Sequence, residues 1–297
     1  MAATPPPAYA IDPRRARRNA DVAAGSYLGA ARLEHEVGVR MLERLDYVKL
    51  APGRILDAGS GPAPQAAQLF KRYPGASLLA LDFSLSMLKV IPRSGWFARL
   101  AGRPAPVPLC ADLGRIPLAN RSFALVWSNM ALHWAADPQA AIGEFHRVLE
   151  VEGLLMFSTL GPDTLKELRA AFPGTEREPH VHRFVDMHDL GDMLVAAGFA
   201  APVMDTETIT LTYPAAESLV ADLRATGQTC ALGGRSKGLL GTGAWRRGVE
   251  ALSGAIRGGR LPATIEVVYG HAWKPVPRRT ADGRTIVSLD PAPRNRN

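Results

Sequence analysis

Short, continuously apolar runs alternate with stretches of helical periodicity through the middle of the chain. Strands that are apolar throughout, separated by helices, are typical of a parallel sheet covered on both faces. The pattern therefore predicts a doubly wound α/β domain over about 51–160. The predicted strands are Arg54–Ala58, Ser77–Leu81, Val107–Cys110, Phe123–Ser128 and Gly153–Thr159, and the predicted helices between them include Pro64–Tyr73, Ser86–Ile91 and Pro138–Leu149.

The flanking segments extend the same domain. Residues 28–45 place apolar side chains at helical spacing and predict an amphipathic helix before the first strand. After the core come a helix near 187–197, an alternating strand at Met204–Tyr213, a helical region at 215–257 and a β-rich run at Ala263–Trp273. We expect one elaborated domain with a mostly parallel, seven-stranded sheet, helices on both faces and an added helical region on the substrate side.

Composition excludes several classes of protein. The chain has 297 residues, of which 47% are hydrophobic and 21% are charged, too ordinary for wholesale disorder. No apolar run approaches the roughly 18–20 residues of a membrane span. The two cysteines, Cys110 and Cys230, allow no disulfide framework, and no zinc motif occurs. The Arg- and Ala-rich start has no apolar signal core, and Pro5–Pro7 oppose an amphipathic transit helix, so we expect a cytoplasmic protein.

The net charge of +7 is unevenly distributed. Residues 1–18 carry four arginines and one aspartate, and residues 274–297 carry six basic and two acidic residues, so the two ends account for the whole excess. Both ends are rich in proline and arginine and are predicted to be disordered. Within the neutral remainder, 224–260 holds seven basic residues and one acid, Glu250.

A glycine-rich turn and three acids follow successive predicted strands. The first strand runs into Asp57-x-Gly59-x-Gly61, where glycines let the backbone turn tightly and approach a ligand. Asp82 ends the second strand, where a carboxylate suits two ribose hydroxyls, and Asp112 follows the third, where it suits an adenine amine. Any one of these acids alone is more simply a helix cap or a loop carboxylate. Together they indicate a nucleotide site.

The identity of the nucleotide follows from the first acid. Asp57 would repel a phosphate but suits the amino-acid end of S-adenosylmethionine, and no GxxxxGK[ST] loop occurs. The series resembles the motifs of class I S-adenosylmethionine-dependent methyltransferases, with Ala63 in place of the usual third glycine. The resemblance implies a Rossmann-like fold and this cofactor. It adds further cofactor-binding residues, namely Ser60, Phe83, Met87, Leu113 and Asn129.

Segments outside this core carry a narrower resemblance. They are Trp-Ser-Asn-Met-Ala-Leu-His-Trp at 127–134 with Asp137-Pro138, Phe-Ser-Thr-Leu-Gly-Pro-Asp-Thr-Leu-Lys-Glu-Leu at 157–168, Glu-Pro-His-Val-His-Arg-Phe at 178–184, Leu-Arg-Ala-Thr-Gly-Gln-Thr-Cys-Ala-Leu-Gly-Gly-Arg at 223–235 and Tyr-Gly-His-Ala-Trp at 269–273. With Tyr27 they resemble the malonyl-acyl-carrier-protein O-methyltransferases of biotin synthesis over about 20–273. Two departures are Ala20, where an aromatic is usual, and Leu28, where an acid is usual.

The resemblance implies a division of the chain. A methyltransferase domain at 19–273 would comprise a helical lid at 20–48, a cofactor core at about 51–160 and a substrate and carrier-protein region at about 215–260. The stretches 1–18 and 274–297 lie outside it.

A second relative remains open at this point. Mitochondrial complex I assembly factors of methyltransferase fold share the pattern at Asp163–Arg169, Asp-Leu-Gly at 189–191 and the style of ending at Leu261–Tyr269. Some members of that branch are arginine hydroxylases, so methyl transfer does not follow from the fold alone.

The expected chemistry needs no general base. A malonyl carboxylate has a pKa near ~4 and is ionised at neutral pH, so alignment and desolvation carry the reaction. The resemblance implies hydrogen-bond donors to that carboxylate. Each candidate donor also has a structural explanation: Tyr27 could only pack against the first helix, His133 and Trp134 could pack on the adenosine, and Arg183 could form a surface ion pair. His180, His182 and His188 lack the order of a metal-ligand set, and no metal is expected. The candidate donors are Tyr27, His133, Trp134, His182 and Arg183.

The basic segment has a candidate partner. Acyl carrier proteins are strongly acidic, and complementary charge speeds encounter and fixes orientation. We expect the carrier protein to dock on Arg224, Arg235, Lys237, Arg246 and Arg247, although a solvated helix explains such a charge run equally well. A nucleic-acid methyltransferase is disfavoured because no Asn-Pro-Pro-aromatic or Asp-Pro-Pro-aromatic motif occurs and the folded part is neutral. No membrane partner is expected.

Overall fold

The computed structural model describes residues 10–92, 104–173, 180–235, 238 and 241–277. These residues form a seven-stranded sheet in the order β3-β2-β1-β4-β5-β7-β6. Strands β1 to β5 pair in parallel, and β7 runs antiparallel to both β5 and β6. The strands are Arg54–Ala58 (β1), Ser77–Asp82 (β2), Val107–Cys110 (β3), Phe123–Ser128 (β4), Leu149–Leu160 (β5), Ala200–Tyr213 (β6) and Leu261–Trp273 (β7). The predicted α/β sheet is confirmed.

Helices cover both faces of the sheet. Two apolar clusters flank it, and successive residues of a central strand belong to opposite clusters: Ile55 packs in one and Leu56 in the other. None of the described helices is both long enough and apolar enough to cross a membrane. The helices are Pro13–Ala23 (α1), Tyr27–Ala30 (α2), Arg32–Arg44 (α3), Ala66–Arg72 (α4), Leu85–Val90 (α5), Pro138–Val148 (α6), Lys166–Ala171 (α7), Met187–Ala196 (α8), Ala216–Ala225 (α9) and Thr242–Gly254 (α10).

The N-terminal region is more ordered than predicted. We expected disorder through residue 18, whereas α1 begins at Pro13, and the Asp12 carboxylate accepts hydrogen bonds from the backbone N–H groups of Arg14 (3.1 Å) and Arg15 (3.3 Å). The N–H of Asp12 donates to the carbonyl of Ala231 (2.7 Å), which ties the start of α1 to the distant segment before α10. A capped start with proline at the first helical position, anchored by a buried Ile11, explains the order.

The helix predicted over 28–45 is divided in two. Helix α2 ends at Ala30, and Ala31 takes a non-helical conformation (φ −73°, ψ 53°) before α3 begins. The predicted helical region at 215–257 likewise forms two helices, α9 and α10, joined by a segment in which Gly227 adopts φ 76°. Helical periodicity continues across both breaks, so the pattern alone does not locate them.

The predicted C-terminal tail also begins later than residue 274. Lys274 is buried, its N–H donates to Gly153, and its Nζ donates to the carbonyls of His146 (2.7 Å) and Leu149 (2.8 Å). A cation near the C-terminal carbonyls of α6 is favoured by the helix dipole. Residues 278–297 of that predicted tail lie outside the described part of the chain.

Candidate active site

The site lies where the order of strands reverses. From β1 the chain passes to β2 and β3 and then returns to the other side of β1 as β4. In open α/β sheets a ligand binds in the crevice outside the carboxyl ends of the strands at such a point. Asp57 and Asp82 lie at the carboxyl ends of β1 and β2, and Asn129 follows β4 directly. The topology thus brings these three predicted residues to one edge of the sheet.

The glycine turn after β1 is held against the end of β2. The N–H groups of Gly59 (2.7 Å) and Ser60 (2.9 Å) donate to the carbonyl of Leu81. Gly59 has φ 77°, and a Cβ there would lie 2.2 Å from the Cβ of Ala131, so only glycine fits. Gly61 adopts φ 52°, and Ala63, which replaces the usual third glycine, adopts a similar φ of 53°.

Two buried carboxyl groups flank this turn. Burial, together with the nearby charge of Asp82, raises the pKa of Asp57 to about 8, and its Oδ2 is buried without a hydrogen-bond partner. Burial raises the pKa of Asp82 to about 6, although its two oxygens accept from the N–H groups of Gly61 (2.8 Å) and Ser84 (2.7 Å). A buried, unpartnered carboxylate oxygen is a strong attractor for a cationic or hydrogen-donating ligand.

The other predicted cofactor residues occupy different environments. Leu113 is buried, and a Cβ added to Gly59 would lie 3.8 Å from its side chain. Met87 is buried in a cluster with Tyr27. Phe83 is partly buried against the cluster around Ile11. Asp112 is exposed, and its carboxylate accepts from the N–H of Gly114 (2.8 Å), while Ser60 donates within its own turn to Gly61 (3.2 Å).

Tyr27 lies where the N-terminal helices approach the glycine turn between Asp57 and Asp82. It is the first residue of α2, and its ring lies 3.9 Å from the position of a Cβ on Gly61. Burial, with the charges of Glu34, Asp82 and Asp57, raises the pKa of Tyr27 well above its usual range. The hydroxyl therefore stays protonated and can serve as a hydrogen-bond donor at the glycine turn.

His133 lies in the short turn after β4 as a neutral ring. Burial lowers its pKa to about 3, its Nδ1 lies 3.4 Å from the Thr159 hydroxyl, and its Nε2 is buried without a hydrogen-bond partner. Trp134 and Phe184 pack against the imidazole, with ring centroids 5.3 and 5.8 Å away. When Thr159 donates to Nδ1, the ring proton lies on Nε2, so His133 can act as a donor through that nitrogen.

His182 and His188 lie in different environments. His182 is buried with a pKa lowered to about 4 by burial, and its Nε2 accepts from the N–H of Ala231 (2.6 Å). His188 is exposed and pairs with Asp186 (2.8 Å). Among the described residues no group of three His, Cys, Asp or Glu side chains is arranged to hold a metal ion. Arg183 is exposed, and the ring beside it, Phe184, faces His133.

Glu34 and Gln228 lie beside the predicted site residues but were not among those that the sequence predicted. Glu34 is buried, burial raises its pKa, and its carboxylate accepts from Gln228 Nε2 (3.3 Å). Its backbone carbonyl accepts from Asn129 Nδ2 (2.8 Å), which links α3 to the end of β4. A signal existed: Glu34 precedes the buried Val37 by three residues and the buried Met41 by seven, so it is an acid on the apolar face of the helix.

A cavity of about 1350 Å³ opens beside these residues. Its lining includes Glu34 and Gln228, His182 and Phe184 of the aromatic cluster, and Met130, whose φ of 52° is unusual for a side chain of that size. The N-terminal helices and the α9 region form further parts of its wall. Glu34, whose carbonyl accepts from Asn129 at the end of β4, therefore connects the carboxyl edge of the sheet with this cavity.

Comparison with known proteins gives a consistent result. A family profile described as "Methyltransferase domain" matches residues 56–157. The malonyl-[acyl-carrier protein] O-methyltransferase of Gallionella capsiferriformans (strain ES-2) is 51% identical over 280 residues, covering 94% of this chain and 97% of the relative. The protein of the same name from Laribacter hongkongensis (strain HLHK9) is 52% identical over 293 residues, covering 96% and 98%. The crystal structure of the YcgJ protein of Bacillus subtilis aligns with a TM-score of 0.57 at 16% identity, covering 82% of this chain and 100% of that one, a likeness of fold alone.

Proposed function

This chain belongs to the malonyl-[acyl-carrier protein] O-methyltransferase family, and from that premise we propose that it esterifies the free carboxylate of a malonyl thioester held by acyl carrier protein. The methyl donor is S-adenosylmethionine, and the reaction is an early step of biotin synthesis in the cytoplasm. Methyl transfer is favoured over the role of a complex I assembly factor, because relatives that match nearly the full chain are named as methyltransferases.

The residues at the strand ends fit this cofactor. The observation that carries the proposal is the buried Asp57 Oδ2, which lacks a partner at a turn that only glycine can form at residue 59. Asp57 would hold the ammonium group, and Asp82 would accept from the ribose hydroxyls. Asp112 and Leu113 would contact the adenine, and the remaining contacts would come from Ser60, Phe83, Met87 and Asn129.

The substrate side needs donors and does not need a base. When bound, S-adenosylmethionine would supply its sulfonium methyl group to the ionised carboxylate, and S-adenosylhomocysteine would be the leaving group. His133, with a pKa of about 3, neither takes nor gives a proton at neutral pH, and Tyr27 stays protonated. We assign both as neutral donors that orient the carboxylate while the surrounding rings exclude water. Trp134 would form part of this wall. Arg183, whose side chain is exposed, would contact the substrate as the family resemblance implies.

The acidic carrier protein would dock beside the cavity. Arg224, Arg246 and Arg247 are exposed. Arg235 departs from this expectation because it is half-buried and forms an ion pair with Asp12 (3.1 Å), and Lys237 lies outside the described residues. The docking surface proposed is therefore Arg224, Arg246 and Arg247, on helices whose neighbouring residues line the cavity.

Transfer of a labelled methyl group tests the function. The protein is incubated with S-adenosylmethionine labelled in its methyl group and with malonyl-carrier protein, and we expect base-labile label on the carrier protein. Acetyl-carrier protein, which has no free carboxylate, is the matched control and should remain unlabelled. Absence of transfer while the cofactor still binds, or equal labelling of both carrier proteins, would refute the proposal.

A further inference from the structure

Four aromatic rings form a closed cluster around the proposed donor His133. Its imidazole contacts Trp134 and Phe184, with ring centroids 5.3 and 5.8 Å away. His182 contacts the same two rings, with centroids at 5.1 and 5.7 Å, and both of its contacts are edge-to-face, at interplanar angles of 77° and 78°. The two rings that pack on His133 are therefore also packed on His182.

The ring of His182 serves as a hydrogen-bond acceptor. Its Nε2 accepts from the backbone N–H of Ala231 (2.6 Å), and the side chain is buried. A ring nitrogen that accepts a hydrogen bond carries no proton, so this imidazole is neutral and its proton lies on Nδ1. Burial favours the same state, because it lowers the pKa of His182 to about 4. Nε2 is thus occupied by the main chain and is not a donor to a substrate.

The partner of His182 is itself held in place. Ala231 is fully buried, and its carbonyl accepts from the N–H of Asp12 (2.7 Å). Two residues earlier, the carbonyl of Thr229 accepts from Asn19 Nδ2 (2.9 Å). Both donors belong to α1 or to its cap, so the N–H of Ala231 reaches His182 from a fixed position.

The main chain of His182 is bonded by a different element. Arg169 of α7 donates from Nη2 to the carbonyl of His182 (3.3 Å) and to that of Thr164 (3.0 Å). Hydrogen bonds at both the carbonyl and Nε2 select one orientation of the His182 ring. Because protein interiors are close-packed and transmit small displacements, that orientation constrains the rings packed against it.

We propose that His182 is a positioning residue for His133: the hydrogen bond from Ala231 fixes the His182 ring, which holds Trp134 and Phe184 where they orient His133 towards the substrate carboxylate. This inference rests on the proposed function for the role of His133 as a donor. It gives His182 no contact with the reacting atoms. The same contacts make the orientation of His133 dependent on α1, through Ala231 and Asp12.

Magnetic resonance of protein labelled with ¹⁵N in its imidazole groups tests this assignment without methyl transfer. In wild type at neutral pH we expect His182 to be the neutral tautomer that is protonated on Nδ1. His182→Phe keeps an aromatic ring but removes the acceptor, so the ring resonances of His133 should shift or split and the N–H of Ala231 should exchange faster with solvent. Protonation of His182 on Nε2, or unchanged His133 resonances in the variant, would overturn the proposal.

Two further variants separate positioning from a general loss of packing. His182→Gln places an acceptor oxygen as far along the side chain as Nε2, and it should restore slow exchange at the N–H of Ala231. His146→Phe is the matched control, because His146 also packs edge-to-face on a phenylalanine, Phe199, with centroids 5.0 Å apart. His146 lies at the opposite edge of the sheet, just before β5, so this variant should leave both the His133 resonances and kcat unchanged.

Turnover with malonyl-carrier protein completes the test. We expect His182→Phe to lower kcat about tenfold, because a donor that is slightly displaced loses much of its effect, and to leave cofactor affinity within about twofold of wild type. His182→Gln should recover part of the lost kcat. Equal losses in the Phe and Gln variants would overturn the proposal, and so would weaker cofactor binding with unchanged kcat, since the rings would then pack on the cofactor.

Failure of this inference is distinguishable from failure of the proposed function. If wild type transfers no label to malonyl-carrier protein, the proposed methyl transfer is wrong, whereas the imidazole spectra still decide whether His182 fixes the ring of His133. If label transfer occurs and the spectra of His133 are the same in wild type and His182→Phe, the function stands and the positioning role is wrong.

Discussion

Asp57 is deeply buried, and one oxygen of its carboxyl group has no hydrogen-bond partner. Its pKa of about 8 means that the folded protein binds a proton here that the unfolded chain has released. Between about pH 4 and pH 8 the folded state therefore holds more protons at this group, and stability falls as pH rises through that window. A cationic ligand beside the carboxylate would reverse this penalty.

Asp57→Asn should stabilise the ligand-free protein and abolish tight cofactor binding. At pH 8 we expect the free energy of unfolding of the variant to exceed that of wild type by about 1–3 kcal/mol, because the variant buries no charge at residue 57. Above pH 6 the stabilising contribution of protonated Asp82 has already been lost, so the difference there reports on residue 57. Urea unfolding at pH 5 to 8 measures the gain, which should shrink towards pH 4. Asp112→Asn, at an exposed acid, serves as the control and should give no comparable gain, because it removes no buried carboxyl group. A destabilised Asp57→Asn at pH 8 would contradict this account.

Ala63 shows strain at a residue where the family pattern has glycine. A left-handed conformation costs an alanine roughly 1–2 kcal/mol, and glycine in turn loses roughly 0.5–1 kcal/mol more conformational entropy on folding. The two effects largely offset each other, so the departure from glycine is tolerated. It does not require a different loop shape.

Ala63→Gly should raise the free energy of unfolding by up to about 1 kcal/mol, whereas Ala63→Val should lower it because a β-branched residue resists positive φ. Thermal unfolding measures both variants. Ala201→Gly, at an exposed residue with φ 47°, is a matched control that should give a similar gain without changing cofactor affinity. Destabilisation by Ala63→Gly would mean that the alanine methyl packs more favourably than the backbone strain costs.

At the scale of elements, α1 depends on contacts distant in sequence. Its cap, Asp12, bonds backbone N–H groups of the helix, donates its own N–H to Ala231 and pairs with Arg235. Asn19 Nδ2 also donates to the Thr229 carbonyl (2.9 Å). The helix and the segment 227–232 therefore form one unit beside the cavity, and loss of the cap should loosen both.

Asp12→Ala should cost about 1–2 kcal/mol of stability, because the cap and an ion pair are lost together. Hydrogen exchange should show faster opening at the N–H groups of Arg15 and Ala16. Asp163→Ala, which removes an exposed pair with Lys166, is the control and should cost less than about 1 kcal/mol. If both variants unfold alike, α1 is held by its apolar face and the cap contributes little.

At the scale of the whole molecule, the distribution of positive charge changes once the chain is folded. Four arginines that the sequence assigned to a disordered end belong to α1, and one of them lines the cavity. With Arg224, which also lines the cavity, and with the exposed Arg246 and Arg247 on α10, Arg15 adds positive charge to the region around the cavity. Complementary charge of this kind accelerates encounter with an acidic partner, and salt weakens its effect.

Reversal of charge at Arg246→Glu and Arg247→Glu together should weaken carrier-protein binding at least about tenfold at low salt and reduce its dependence on salt. Surface plasmon resonance at several ionic strengths measures both effects. Methylation of a small malonyl thioester that lacks the carrier protein should remain unchanged in the same variant. An unaltered affinity and salt slope would place the docking surface elsewhere.

Local physical rules made much of this protein predictable from its sequence. Short apolar runs such as Phe123–Ser128, separated by helical periodicity, are typical of a covered parallel sheet, and the acids at 57 and 82 follow such runs directly, so their common edge of the sheet could be predicted from order along the chain. Long-range packing decided the rest. Glu34 meets Gln228 across 194 residues, and α1 is ordered by Ala231, because such contacts depend on how the elements are placed and leave no mark in local periodicity. The sequence thus determined the fold and the type of site, whereas the tertiary structure decided which buried polar groups and which arginines surround the substrate space.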